Sequence, residues 1–267
     1  MILEVLVSCM NQENMTIVEK SNITTNVLII NQCEKNDFQQ CENGNQIIRM
    51  ISTTERGLSR SRNMAINRAA GDICLFCDDD EAFYRNYEQI ILAAFHRLSN
   101  ADIILFNLDN LPHSFKGKAR QLKYRDLFHA MSCQIAFRKK SLEQIQTYFH
   151  PYMGAGSGNG AQEENKFLID CYKKGLNIYY VPSKIGMLLE SSSSWFNGYD
   201  EKFFYQRGGA TRKMLGLPGA VLYAFYYTIR KRPIYKNDIS PAKAFWATLK
   251  GCIDDPIGKQ EKQSCHL

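Results

Sequence analysis

Several absences narrow this chain before any motif is found. No segment reads GxxxxGK(S/T), so the phosphate-cradling loop of P-loop NTPases is missing. No glycine follows the first strand candidate, where Ser8-Cys9-Met10-Asn11-Gln12 stands in place of a dinucleotide fingerprint. No apolar run approaches the roughly 18 residues a membrane-crossing helix needs. The nine cysteines contain one spacing of two, Cys74 and Cys77, inside an apolar run that reads as strand interior. No second pair exists to complete a zinc site. His96, His113, His129, His150 and His266 are isolated from one another. Met1 to Ser8 reads as a strand, not as a basic leader before a long apolar core. With an odd cysteine count, this predicts reduced thiols and a cytoplasmic location. There are no internal repeats, and low complexity is confined to Ser191 to Ser194.

What is present fits a globular protein. An apolar content of 45% with 22% charged residues excludes disordered and fibrous classes. The net charge of +6 is unevenly spread. From Lys202 onward, twelve Lys/Arg stand against four Asp/Glu, while residues 1–201 carry a slight acidic excess. Within that tail the apolar stretch from Leu217 to Ile229 runs into Arg230-Lys231-Arg232, and Phe245 and Trp246 lie between Lys243 and Lys250. Aromatics beside cations suit a helix lying on an anionic membrane surface; a helix packed on the core with solvated arginines is the alternative.

Strand candidates at residues 2–8, 26–30, 46–52, 73–77, 101–108 and 178–182 alternate with helix candidates at 15–19, 59–70 and 87–98. The alternation predicts βαβ units and a largely parallel sheet. Four glycines between Gly154 and Gly160 mark a flexible or tightly turning loop, after which Glu163 and Glu164 open a further helix. The strand at 73–77 stops abruptly in Asp78-Asp79-Asp80. Carboxylates at the carboxyl end of a buried strand lie where open α/β sheets place ligands. Their mutual repulsion is offset by a divalent cation with oxygen ligands, or by solvent if the segment is only an acidic turn.

In order along the chain, Gly57-Leu58-Ser59, Ser61-Arg62-Asn63, Ala69-Ala70-Gly71-Asp72, the acidic triplet and Glu163-Glu164-Asn165 resemble family 2 of the inverting glycosyltransferases over roughly residues 1–200. The resemblance implies the GT-A fold, a Rossmann-like α/β architecture with a mostly parallel mixed sheet flanked by helices. It implies a catalytic domain at 1–200, with the basic aromatic segment 201–267 as a helical extension. It implies a nucleotide-sugar donor, UDP-sugar by preference, held by Asp78 and Asp79, with Asp78 and Asp80 binding Mg2+ or Mn2+ against the diphosphate. Arg62 corresponds to an arginine near the nucleotide. The second acid of the family's catalytic pair falls on Glu164, the base that takes the acceptor's proton, with Glu163 as its substitute.

The sequence also departs from the family. Where an aspartate commonly contacts the base, Asn31 and Gln32 stand, with neutral donors and acceptors for a pyrimidine edge. A later histidine of the metal shell is missing; the region after Pro182 offers Glu190, then Trp195, Phe196 and Tyr199 as a sugar platform. The expected acceptor is a glycan or a lipid-linked glycan of bacterial surface polysaccharide at the inner membrane face. Nucleic acid is not expected as a partner. A non-catalytic nucleotide-sugar or glycan binding protein and a sugar nucleotidyltransferase are the alternatives.

Overall fold

The computed structural model describes residues 1–111, 115–160, 162–189 and 198–264. Contacts divide the chain into two units: one of 1–56, 60–149 and 167–191, the other of 57–59, 150–166 and 192–267.

The first unit is built on one twisted sheet. Its strands are β1 (Leu3–Met10), β2 (Asn26–Gln32), β3 (Asp37–Asn43), β4 (Gln46–Thr53), β5 (Ile73–Asp78), β6 (Glu81–Phe83), β7 (Ile103–Asp109), β8 (Arg120–Gln121), β9 (Ile135–Arg138) and β10 (Ile178–Leu188). The order is β3-β4-β2-β1-β5-β9-β7-β10-β6, with β8 added on β10. The pairings make β4, β2, β1, β5, β7 and β10 run one way, with β3, β9, β6 and β8 opposed. This is the mostly parallel mixed sheet expected of the GT-A fold. Parallel strands covered on both faces read as continuous apolar runs, and β1, β2 and β5 are buried along nearly their whole length.

Four strands carried little signal, of which β6 and β8 are only three and two residues long. β3 is polar and largely exposed, so no alternation marks it; the hint is Gly44-Asn45, the two-residue hairpin loop between the paired Asn43 and Gln46, whose glycine has φ of +60°. β9 is four residues long and slots antiparallel between β5 and β7.

Helices α1 (Ile17–Lys20) and α3 (Tyr87–Arg97) contribute to a core on one face of the sheet, where Ile91 and Phe95 belong to the same buried cluster as the strand residues Val5 and Leu75. α2 (Leu58–Arg68) leads into β5 through Ala69-Ala70-Gly71. That motif has a steric and an electrostatic cause. Glu4, only 2% exposed, accepts hydrogen bonds from the Gly71 amide at 2.9 Å and from Arg49 at 2.6 Å. A Cβ on Gly71 would stand 2.7 Å from the Cβ of Glu4. The remaining helices are α4 (Lys139–Ile145) and α5 (Glu163–Lys173).

The second unit contains α6 (Glu201–Arg230), α7 (Arg232–Tyr235), α8 (Pro241–Asp254) and α9 (Pro256–Ser264). Asp200 caps α6 by accepting from the Phe203 amide at 2.7 Å. Gly216, at φ +69° and ψ 174°, breaks α6 into halves 201–215 and 217–230 before Pro218. Phe204, Tyr227, Tyr235, Ile239 and Ala244 form a core for this unit.

Replacing Gly71 by alanine forces β1 and the α2–β5 turn apart. Gly71→Ala is expected to lower unfolding free energy by about 1–3 kcal/mol, read from urea titration; an unchanged midpoint would contradict the close approach.

Candidate active site

β5 places Asp78 at the carboxyl edge of the sheet, in register with Ser8 of β1. Residues three apart on a strand point to opposite faces, so Cys74 and Cys77 cannot share a ligand. Both thiols are buried, and burial raises their pKa. The one close cysteine spacing is therefore strand interior.

The Asp78 carboxylate is held by two side chains. Arg62, 1% exposed, donates from Nη2 to both carboxylate oxygens at 2.9 and 3.1 Å. Ser132, in a 3₁₀ turn, donates to Oδ2 at 3.1 Å. The guanidinium also lies 5.4 Å from the ring centre of Phe149, which stacks on Phe167 at 4.3 Å. The residues around Arg62 have equally local tasks. Asn63 clamps the Phe149 backbone, donating to its carbonyl at 2.8 Å and accepting from its amide at 2.7 Å. Ser61 Oγ bonds Ser8 Oγ at 2.9 Å.

Asp79 is exposed and Asp80 half-buried. The turn is pinned through its backbone, since the Asp79 carbonyl accepts from Lys20 Nζ at 3.1 Å and the Asp80 carbonyl from the Leu189 amide at 2.7 Å. Glu81, which motif reading passed over, is fully buried in β6 and accepts the Asp78 amide at 3.0 Å. Burial first, then the charge of Asp78, raises its pKa well above the carboxylate range. An acid at the start of a strand is indistinguishable by sequence from a solvated one; only the antiparallel pairing of Glu81 with Leu188, seen in the structure, puts it inside the sheet.

Asn31 is fully buried. Its side chain accepts from the Gln12 amide at 2.9 Å and donates to the Gln12 carbonyl at 2.8 Å and to Ser52 at 3.2 Å. It fixes the loop after β1 in the way a further strand would. Trp195, with Glu190 and Phe196, lies outside the described residues.

Glu163 and Glu164 belong to the second unit, in the first turn of α5. The glycine loop before them is tightly turned, with positive φ at Gly154, Gly156, Gly158 and Gly160. It is also anchored: Gln206 donates to the Gly158 carbonyl at 2.7 Å and Asn159 to Gln260 at 2.6 Å. A Cβ on Gly154 would sit 2.9 Å from the carboxyl carbon of Glu163, which is 5% exposed; Glu164 is more open. Among the described residues, no three His, Cys, Asp or Glu side chains are grouped as a metal centre. Asp78 and Asp80 supply two hard oxygen donors, which fits Mg2+ or Mn2+ only if a bound diphosphate and water complete the shell.

The family model described as glycosyl transferase family 2 matches residues 1–146, more than half of the sequence. The chain belongs to glycosyl transferase family 2. Membership makes it a glycosyltransferase by family, and solved structures agree on the fold. A crystal structure of S. aureus TarS 1-349 is 16% identical, with a TM-score of 0.59 over 89% of this chain and 74% of that one. The same TarS segment in complex with UDP-GlcNAc is 17% identical, with the same TM-score and coverage. No curated protein matches the chain by sequence.

Removing the buried cation should leave Asp78 without its main counter-charge. Arg62→Ala is expected to cost about 3 kcal/mol by urea unfolding, and a loss below about 1 kcal/mol would show the pair to be marginal. Glu81 yields a prediction in pH. A carboxyl with a raised folded pKa keeps its proton where the unfolded carboxyl has lost it, so stability falls as pH rises through that window. Thermal midpoints of wild type and Glu81→Gln, compared without metal, should coincide near about pH 4 and diverge by about pH 8 in favour of glutamine. Parallel curves would show that Glu81 ionises normally.

Proposed function

We propose that this family 2 enzyme transfers a sugar, with inversion, from a nucleotide-diphosphate donor to a glycan or lipid-linked acceptor in surface polysaccharide synthesis. The observation that carries the reading is the clamp of Arg62 and Ser132 on Asp78 at the carboxyl end of β5. It commits a buried cation to fixing one acid of an acidic turn at a ligand-binding edge. UDP-sugar is the favoured donor because TarS, which shares the fold, was crystallised with UDP-GlcNAc.

In the proposed reaction Glu164 accepts the acceptor hydroxyl proton as the oxygen attacks the anomeric carbon. The bond from that carbon to the diphosphate oxygen breaks, and the nucleoside diphosphate departs with the electron pair. One displacement inverts the centre, with no enzyme nucleophile. Glu163, walled by Gly154, positions the first turn of α5. Asp78 and Asp79 face the donor, and Asn31 shapes the base pocket by holding Gln12. A divalent ion, Mg2+ or Mn2+, held by Asp80 with Asp78, would offset charge on the leaving diphosphate. The catalytic domain is taken as 1–200 and the extension as 201–267, working at the inner face of the cytoplasmic membrane. Trp195 remains the proposed acceptor contact.

The test is nucleotide release from UDP-, dTDP- and GDP-sugars with Mn2+ or Mg2+ and membrane extract as acceptor. One donor should give acceptor-dependent release that falls at least about 100-fold in Glu164→Gln and in Asp80→Asn. Unchanged release in Glu164→Gln with loss in Glu163→Gln would move the base to Glu163. Release unaffected by any of them would remove the assignment.

A further inference from the structure

The second half of α6, 217–230, contains no charged residue before Arg230 and is apolar on two sides. One side, with Ala220, Ala224, Tyr227 and Thr228, is buried within its unit. The other carries Leu222, Phe225, Tyr226 and Ile229, exposed by 72%, 50%, 54% and 74%. These four recur at the spacing of a single helix face, where a helix bordering water ordinarily carries its charges. α8 repeats the pattern: Trp246 and Ile253, seven residues apart, are 65% and 61% exposed. The Phe225 and Phe245 rings are 4.5 Å apart and Phe245 lies 5.5 Å from Trp246, so the two helices share one aromatic surface. A cleft of about 410 Å³ between them is walled by Phe225, Ile229 and Phe245, with Arg232 in its lining.

Charge identifies the occupant. From Leu217 to Asn237 there are four Lys/Arg and no Asp/Glu, and three of the four, Arg230, Lys231 and Arg232, follow directly on the exposed row. We propose that this face docks on an anionic lipid bilayer. Leu222, Phe225, Tyr226, Ile229 and Trp246 enter the boundary between headgroups and acyl chains, and Arg230, Lys231 and Arg232 meet lipid phosphates. The half-helix is about 21 Å long, short of the ~30 Å hydrocarbon core, so it lies in the interface plane. Among the described residues no helix is long and apolar enough to cross. A second copy would cover the apolar row equally well, but it would face the same cations and gain repulsion, whereas an anionic leaflet gains attraction. The inference goes beyond the sugar-transfer reading and rests on it only for the lipid-linked acceptor that docking would bring within reach.

The experiment is flotation of the whole chain with phosphatidylcholine vesicles, with and without about one-third phosphatidylglycerol. Wild type should float with the anionic vesicles only and release as salt rises. Its tryptophan emission should shift to the blue, and Trp246→Phe should remove the shift. The double substitution Leu222→Ser with Ile229→Ser should lower partitioning at least about tenfold at an unchanged thermal midpoint. Arg230→Gln with Lys231→Gln should lower it about tenfold or more and flatten the salt dependence. Equal binding to neutral vesicles, or wild-type binding by both double variants, overturns the proposal. So does self-association that Leu222→Ser with Ile229→Ser abolishes in a chain that binds no vesicle, which assigns the face to a second copy. Calorimetric titration with UDP, dTDP and GDP separates the two readings. Binding of any of them without vesicle binding defeats docking alone, and vesicle binding without binding of any of them defeats the transferase reading alone.

Discussion

Arg62 sits in the core of the first unit as a permanent cation at 1% exposure, and the arrangement around it follows from that. A guanidinium there needs an anion and acceptors at fixed positions, because an unanswered buried charge costs several kcal/mol. Four separate segments meet the need: α2 carries the arginine, β5 ends on Asp78, the turn at Ser132 steadies the same carboxylate, and Phe149 lies against the guanidinium. The acid that begins the triplet is thereby oriented before any ligand arrives. Such preorganisation is what a site needs if it is to bind charge without rearranging.

Much of the fold was legible because buried parallel strands cannot disguise themselves. β1, β2, β5 and β7 each appear as an apolar run, and the helix α2 between a serine-rich start and Gly71 was equally plain. The motifs resembling family 2 also turn out to have separate physical reasons: Gly71 for its approach to Glu4, Asn63 for the Phe149 backbone, Arg62 for Asp78. What stayed hidden depends on pairing at a distance. β9 is too short to show a period, β3 too polar, and neither Glu81 nor Ser132 stands out by composition. Asn31 was visible as a departure from the family's aspartate, but its bonds to Gln12 and Ser52 could come only from coordinates.

The second unit shows the reverse balance. Its charge and aromatic content were evident in composition, yet composition alone could not separate the residues of 217–229 that pack inward from those that face out. The distinction rests on helical phase. Tyr226 and Tyr227 are neighbours in sequence, one 54% and the other 5% exposed, and only their place on the helix divides them.

The break at Gly216 has a bearing on local order. Helical hydrogen bonding gains stability by propagation from a costly nucleus, and a residue at φ +69° stops that propagation. The stretch 217–230 must therefore nucleate by itself, at a length where an isolated helix is marginal in water. Its amides depend on tertiary packing, and α8 runs along both halves: Cys252 Sγ donates to the Gly208 carbonyl at 3.5 Å, and the Phe245 ring lies 4.5 Å from Phe225. The glycine thus interrupts the hydrogen-bond ladder of one apparent helix without separating its halves, because Phe204 from one and Tyr227 from the other share a core, and Arg207 lies 4.0 Å from the centre of the Tyr227 ring.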